Sequence, residues 1–358
     1  MQALHLHAGP RAMAHVQQHG LLPQHVGVVP GAAGGPKGLL LGPLDRFLFA
    51  HWLPQSPTPV HLVAASIGAW RFATACLTPT EAALQRFEHA YIHQHYEPEP
   101  GRRRPSADAV SAAFAQGLRA FYDGCVPEVL AHPKYRLHVL TSRGRHLLHR
   151  EHPWRTPLGY AGAYLSNAVS RRALGAWLQR TVFSSQGEPP FEVSDLSTAC
   201  VPLNEGNFFP AVQASCSIPF VLRPVHDIPG APTGAHWDGG ITDYHLHLNY
   251  RPPAASPIVL YPHFQQAVVP GWLDKALKWR HAATPFLDDV LVLAPNPEWV
   301  RQALPNGKLP DRSDFVHYAH DPAERIRVWT QAVSAAQQLA DEWAQWLARP
   351  DPTRLQPL

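Results

Sequence analysis

Long apolar runs are missing from this sequence. Nowhere do about 18 consecutive apolar residues occur, so no segment reads as a membrane-spanning helix. Cysteine is scarce: Cys76, Cys125, Cys200 and Cys216 lie far apart without a Cys-x-x-Cys spacing and read as free thiols in a reducing compartment. A charge excess of either sign is also lacking. Thirty Lys and Arg against 27 Asp and Glu leave a formal net charge of +3, too weak to argue for a nucleic-acid partner. Residues 1–20 carry His5, His7, Arg11, His15 and His19 and no apolar core of a secretory signal, so a cytoplasmic setting is expected. No repeat or low-complexity tract interrupts the chain.

The chain does contain many short apolar segments separated by proline-rich loops, with 38 Pro and 45% hydrophobic residues in 358. Val26-Gly27-Val28-Val29, Val60-His61-Leu62-Val63 and Tyr135 to Thr141 read as strands, and Ile258-Val259-Leu260-Tyr261 and Val290-Leu291-Val292-Leu293 are apolar runs bounded by prolines. Between them, the spacing predicts helices. One opens at a Thr78-Pro79-Thr80-Glu81 capping box and runs to about His95, one opens at Ser106, and one covers 166–184. A long last helix is capped by Asp321 and striped by Trp329, Val333, Ala336, Ala340 and Trp343. Strands alternating with helices predict an α/β fold of three layers, α/β/α, around a mostly parallel central sheet. A single domain over 1–358 follows, with a core at about 24–250, a possible lid or cover at 251–320 and a C-terminal helix at 321–348.

Three short motifs carry chemistry. Ala64-Ala65-Ser66-Ile67-Gly68 places a serine at a strand-to-helix join with small residues two before and two after it. Such an elbow needs small neighbours because strand and helix pack closely around a strained nucleophile. By itself the pattern also suits a tight turn with a capping serine. Gly31-Ala32-Ala33-Gly34-Gly35-Pro36-Lys37-Gly38 follows a buried strand and opens an apolar helix, where free amides can cradle an anion. Its spacing fits neither the phosphate loop nor the dinucleotide fingerprint, whereas an oxyanion hole asks only for one or two free amides. His236-Trp237-Asp238-Gly239-Gly240 sets a carboxylate before two glycines, an arrangement that serves a turn or a cleft.

Together, and in this order, the motifs resemble the patatin-like phospholipase family. That family's pattern is Gly-Gly-Gly-x-Lys/Arg-Gly, then Gly-x-Ser-x-Gly, then Asp-Gly-Gly/Ala. Ala33 and Ala64 stand where it has glycine. Ala211 to Phe220 is similar to the family's Ala-rich, Ser-containing segment upstream of the aspartate. The resemblance implies a Ser-Asp dyad, with Ser66 as nucleophile, Asp238 as base and the amides of Gly34, Gly35, Pro36, Lys37 and Gly38 as oxyanion hole. It implies no metal and no cofactor, and a lipid or other acyl ester as substrate. An esterase of short or hydroxyalkanoate esters and a catalytically silent lipid-binding fold are the alternatives. Among 23 His, His236, His245 and His247 flank Asp238 closely enough to invite a Ser-His-Asp triad instead. The Arg102-Arg103-Arg104 run is a candidate for peripheral contact with anionic lipid head groups.

Overall fold

The computed structural model describes residues 1–97, 99–101 and 104–358. Among them, eleven strands join one sheet: β1 (Leu4–Ala8), β2 (Val26–Gly31), β3 (Val60–Ala65), β4 (Tyr135–Gly144), β5 (Leu178–Ser184), β6 (Thr198–Pro202), β7 (Val225–His226), β8 (Ala235–Asp238), β9 (Ile258–Pro262), β10 (Val290–Pro295) and β11 (Leu355–Pro357). The main path runs β11-β1-β10-β9-β2-β3-β4-β5-β6, and β8 pairs with β4 off that path. From β10 through β9, β2 and β3 to β4 every pair is parallel. The expected α/β architecture with a largely parallel central sheet is the one observed.

Alternation along each strand serves two faces. Leu62 and Ala64 enter the larger core with helices Ile67–Ala75, Thr80–Ile92 and Ala107–Tyr122, while Val63 and Ala65 enter a second core with Tyr244, Leu246 and Tyr261. Both layers exclude water almost completely from β2, β3, β9 and β10, whose residues are all buried. Helix Arg155–Val169 covers a third, smaller cluster around Trp237 and Ile241.

Four sequence expectations need correction. The capping box does not form: the Thr78 amide donates to Glu128, Glu81 pairs with His51, and the helix runs only from Thr80 to Ile92. The helix expected over 166–184 ends at Val169, and Leu178–Ser184 is a strand instead. Pairing on both sides, to β4 and β6, overrides the helical pattern there, and Thr181-Val182-Phe183 suits a pleated surface. The last helix is two, Pro322–Ala335 and Gln337–Ala348, though Asp321 caps the first and the apolar stripe is buried as expected. The stretch 251–320 supplies two central strands, β9 and β10, besides part of the wall of the site. Arg102 and Arg103 of the basic run lie outside the described residues.

Candidate active site

Parallel strands deliver their C-terminal ends to one edge of the sheet, and the candidate site lies there. β3 ends at Ala65, and helix Ile67–Ala75 begins immediately after the single residue Ser66. The turn is possible only because Ser66 takes φ 57° and ψ −129°, a conformation that costs a non-glycine residue on the order of 1–3 kcal/mol. Gly68 permits the close approach that follows: a Cβ there would stand 2.0 Å from the Gly31 carbonyl oxygen. Ala64, in place of the expected glycine, is accommodated without exposure in the sheet interior.

The strained turn aims Ser66 at Asp238. The serine Oγ donates to Asp238 Oδ2 at 2.7 Å, and the other carboxylate oxygen accepts from the Gly240 amide at 2.7 Å. Each side chain sits in a residue only 5% exposed. Asp238 arrives on β8, where it lies opposite Thr141 of β4, and Gly239 then passes so close to β4 that a Cβ would stand 2.2 Å from the Leu140 oxygen. Burial pushes the Asp238 carboxyl up to about 6, against the opposing influence of the Ser66 and Gly240 hydrogen bonds and of Arg312 and Lys275. A carboxylate of that basicity can take a proton near neutral pH.

No imidazole joins this pair among the described residues. His236 contacts the Thr141 hydroxyl and the Pro232 carbonyl, His245 the main chain at Ala267 and Val269, and His247 the Val268 carbonyl and the Thr284 hydroxyl. Burial lowers all three, His236 and His247 to about 4. The triad arrangement weighed in the sequence is therefore absent here.

The glycine loop is divided. Gly34, Gly35 and Lys37 line a cavity of about 270 Å3 together with Ser66, Asp238 and Trp272. The amides of Gly34 and Gly35 precede the first helical turn of Gly35–Leu41 and have no protein acceptor. Pro36 has no N–H to offer and does not line the cavity. Gly38 is packed behind it against Ile67 and Arg71. Of the five expected donors, the Gly34 and Gly35 amides therefore remain free for an oxyanion, whereas the Lys37 amide falls within the first helical turn.

One role within the Ala211–Phe220 segment escaped sequence reasoning. Ser215, at the end of helix Phe208–Ser215 and fully buried, accepts from the Ser66 amide at 2.9 Å and donates to the Leu140 carbonyl at 2.7 Å. Its own carbonyl accepts from the Gly239 amide, and Ser217 O accepts from the Asp238 amide at 3.0 Å. The Ser215-Cys216-Ser217 segment thus ties nucleophile and base to the same bracket. A hydroxyl among Ala and Val on an apolar helix was the available signal.

Two outcomes follow for variants. The folded Asp238 carboxyl titrates near 6 and the unfolded one near 4, so its stabilising contribution is present below about pH 4 and is lost as pH rises through about 6. Asp238→Asn is expected to gain about 2–3 kcal/mol on the wild type between pH 4 and pH 8 in denaturant titrations; an advantage that stays level with pH would mean a carboxyl of ordinary pKa, and one that shrinks, a depressed pKa. Ser215→Ala leaves two buried main-chain groups unpaired, at about 1–3 kcal/mol. It is expected to lower kcat about ten- to a hundred-fold with KM little changed; a loss of melting temperature with kcat intact would assign Ser215 to the fold alone.

No protein-family model and no curated protein matches the chain, so its chemistry has to be read from these side chains.

Proposed function

We propose that this chain is a patatin-like serine acyl hydrolase that cleaves carboxylic esters through a Ser66–Asp238 dyad. The observation that carries the reading is the 2.7 Å hydrogen bond from a serine in a strained elbow to a buried carboxylate of raised basicity. Ser66 Oγ attacks the ester carbonyl carbon while its proton passes to Asp238 Oδ2. The carbonyl oxygen gains the negative charge beside the Gly34 and Gly35 amides. Collapse of the tetrahedral intermediate breaks the bond to the alcohol, which leaves with the proton from Asp238. Water, deprotonated by the same carboxylate, then attacks the acyl-serine and frees the acid and Ser66.

A cavity of about 270 Å3 holds only the reacting end of a lipid, so long chains have to lie against the surface outside. A surface suited to this adjoins the mouth. Trp154, Leu158, Leu165 and Val169 stand exposed along helix Arg155–Val169, and Trp279 and Phe220 are exposed beside it. The Phe220 ring lies 5.8 Å from Tyr160 of that helix and follows Ile218 and Pro219 of the cavity wall, and Arg280 donates to the helix's Ala168 carbonyl. Residues 152–187 and 275–287 contain no Asp or Glu but several Arg and Lys. Apolar side chains beside exposed Arg155, Arg172 and Lys278, none of which forms an ion pair among the described residues, are what an anionic lipid surface accepts. No described helix is long and apolar enough to cross a membrane. A cytoplasmic, peripheral lipid hydrolase fits this surface and the four free cysteines.

A fluorophosphonate probe tests the chemistry. Labelling of the wild type is expected, with labelling and ester turnover lost by at least about a thousand-fold in Ser66→Ala; an unlabelled, well-folded wild type would leave the silent lipid-binding fold as the better reading. Vesicles test the surface. In Trp154→Ser/Val169→Ser, the ratio of turnover on anionic vesicles to turnover on a soluble ester is expected to fall several-fold, and an unchanged ratio would move lipid contact elsewhere.

A further inference from the structure

Buried cations in this fold are partnered. Arg71 makes two hydrogen bonds to Asp45, Arg180 is clasped by Asp243 and Asp195, and Arg171 and Arg280 converge on Asp274. Buried Arg325 donates to the main-chain carbonyls of Ile92 and Gln94. Three cations on the wall of the reaction cavity, one half-buried and two exposed, have no such partner. Lys37, Lys275 and Arg312 all line it, and among the described residues none of their side chains forms an ion pair or donates a hydrogen bond to the protein.

Their placement is fixed by aromatic faces and backbone rather than by acids. The Lys37 ammonium stands 5.3 Å from the Phe264 ring centroid and the Lys275 ammonium 4.1 Å from that of Tyr244. The Arg312 stem lies against Gly35. Lys37 is half-buried within the cavity, while Lys275 and Arg312 stand exposed at its mouth. Desolvation against the wall, and then the like charges of Lys37 and Arg312, hold the Lys275 ammonium down to about 8. The carboxylates of the lining are committed elsewhere. Asp238 serves Ser66 and Gly240, and Asp311 accepts from Lys308 at 3.2 Å and from the Ser313 amide at 2.7 Å, reaching Lys37 only through a longer-range attraction.

Three like charges held beside a nucleophile repel one another until an anion joins them. We propose that the ester cleaved at Ser66 carries a negatively charged group, a phosphate or a carboxylate, that docks on Lys275 and Arg312 at the cavity mouth with Lys37 behind them. Two of the three come from the 251–320 stretch, which gives that segment a role in choosing the substrate. Neutral glycerides and simple alkyl esters leave the three charges uncompensated and are the poorer substrates. The proposal rests on the hydrolase reading, and its test separates the two.

Matched ester pairs differing only in charge read the preference: lysophosphatidate against monoacylglycerol of the same chain, and mono-p-nitrophenyl adipate against p-nitrophenyl hexanoate. The wild type is expected to show kcat/KM at least ten-fold higher for the charged member of one pair or both. A preference confined to the first pair places the anion on the leaving alcohol, as in a lipid head group. One confined to the second places it on the acyl side. Lys275→Gln and Arg312→Gln are each expected to reduce the preference several-fold, and the double variant to abolish it, with melting temperatures reported alongside. Equal rates within both pairs, or a preference that survives in the double variant, overturns the anion subsite while labelling of Ser66 by a fluorophosphonate leaves the hydrolase standing. If Ser66 is not labelled, inorganic phosphate still decides: it is expected to raise the melting temperature of the wild type more than that of the double variant, and equal shifts overturn the subsite.

Discussion

The hydrogen bond from Ser66 to Asp238 is the interaction around which this edge of the molecule is arranged. It is short, nearly dry and made by a residue whose backbone is held in an unfavourable conformation. Such a conformation persists only where its surroundings over-determine it. Here the determinants are identifiable: β3 is buried on both faces, helix Ile67–Ala75 packs its Gly68 onto the Gly31 carbonyl, and Ser215 takes up the Ser66 amide that the turn leaves without a partner. The same helix end holds the main chain of Asp238 and Gly239. Nucleophile and base are 172 positions apart in sequence, yet each is indexed to one three-residue bracket.

Dryness then sets the chemistry. A solvated aspartate is too weak a base to activate an alcohol at neutral pH, and the usual remedy interposes an imidazole. This chain has imidazoles nearby, and among the described residues none is hydrogen-bonded to Ser66 or Asp238. His236, His245 and His247 are each bound to main-chain or hydroxyl partners and kept neutral by burial. Raising the carboxyl by desolvation achieves the needed basicity with one residue fewer, and the Gly240 amide keeps the second oxygen occupied so that the Ser66-facing oxygen alone is available. The cost is a carboxylate that the folded state tolerates poorly once ionised.

The motifs were legible because each is local. A small-x-Ser-x-Gly elbow, a glycine loop and Asp-Gly-Gly advertise their geometry through residue size and turn chemistry, and the apolar runs that became β2, β3, β9 and β10 are short and bounded by prolines. What stayed hidden depends on partners distant in sequence. Leu178–Ser184 is a strand because β4 and β6 pair with it, and a helical spacing upstream gave no sign of either. Glu81 could not close a capping box onto the Thr78 amide once Glu128 had claimed it, and the helix starts at Thr80 instead. Ser215 lay within the Ala211–Phe220 segment, but its role stayed hidden because it depends on two distant hydrogen-bond partners, the Ser66 amide and the Leu140 carbonyl. Pro36 shows the opposite error: it belonged to the right loop, but a residue without an N–H cannot stabilise an oxyanion.

Charge links the mouth of the cavity to its floor. Lys275 and Arg312 both act on Asp238, favouring its ionised form and so opposing the rise that burial produces. In the free protein this holds the carboxyl near 6 instead of higher, which keeps it ionised at neutral pH and ready to accept a proton. An anion docked on those two cations cancels their pull. On the proposed anion subsite, a docked substrate makes Asp238 a stronger base in the complex than in the free protein. The proposed docking also offsets the repulsion from Lys37 and Arg312 that, after desolvation, lowers the Lys275 ammonium, so on this proposal binding and basicity are coupled through two side chains that touch neither reacting atom. A neutral ester of identical shape enters the same cavity without this coupling and meets the weaker base.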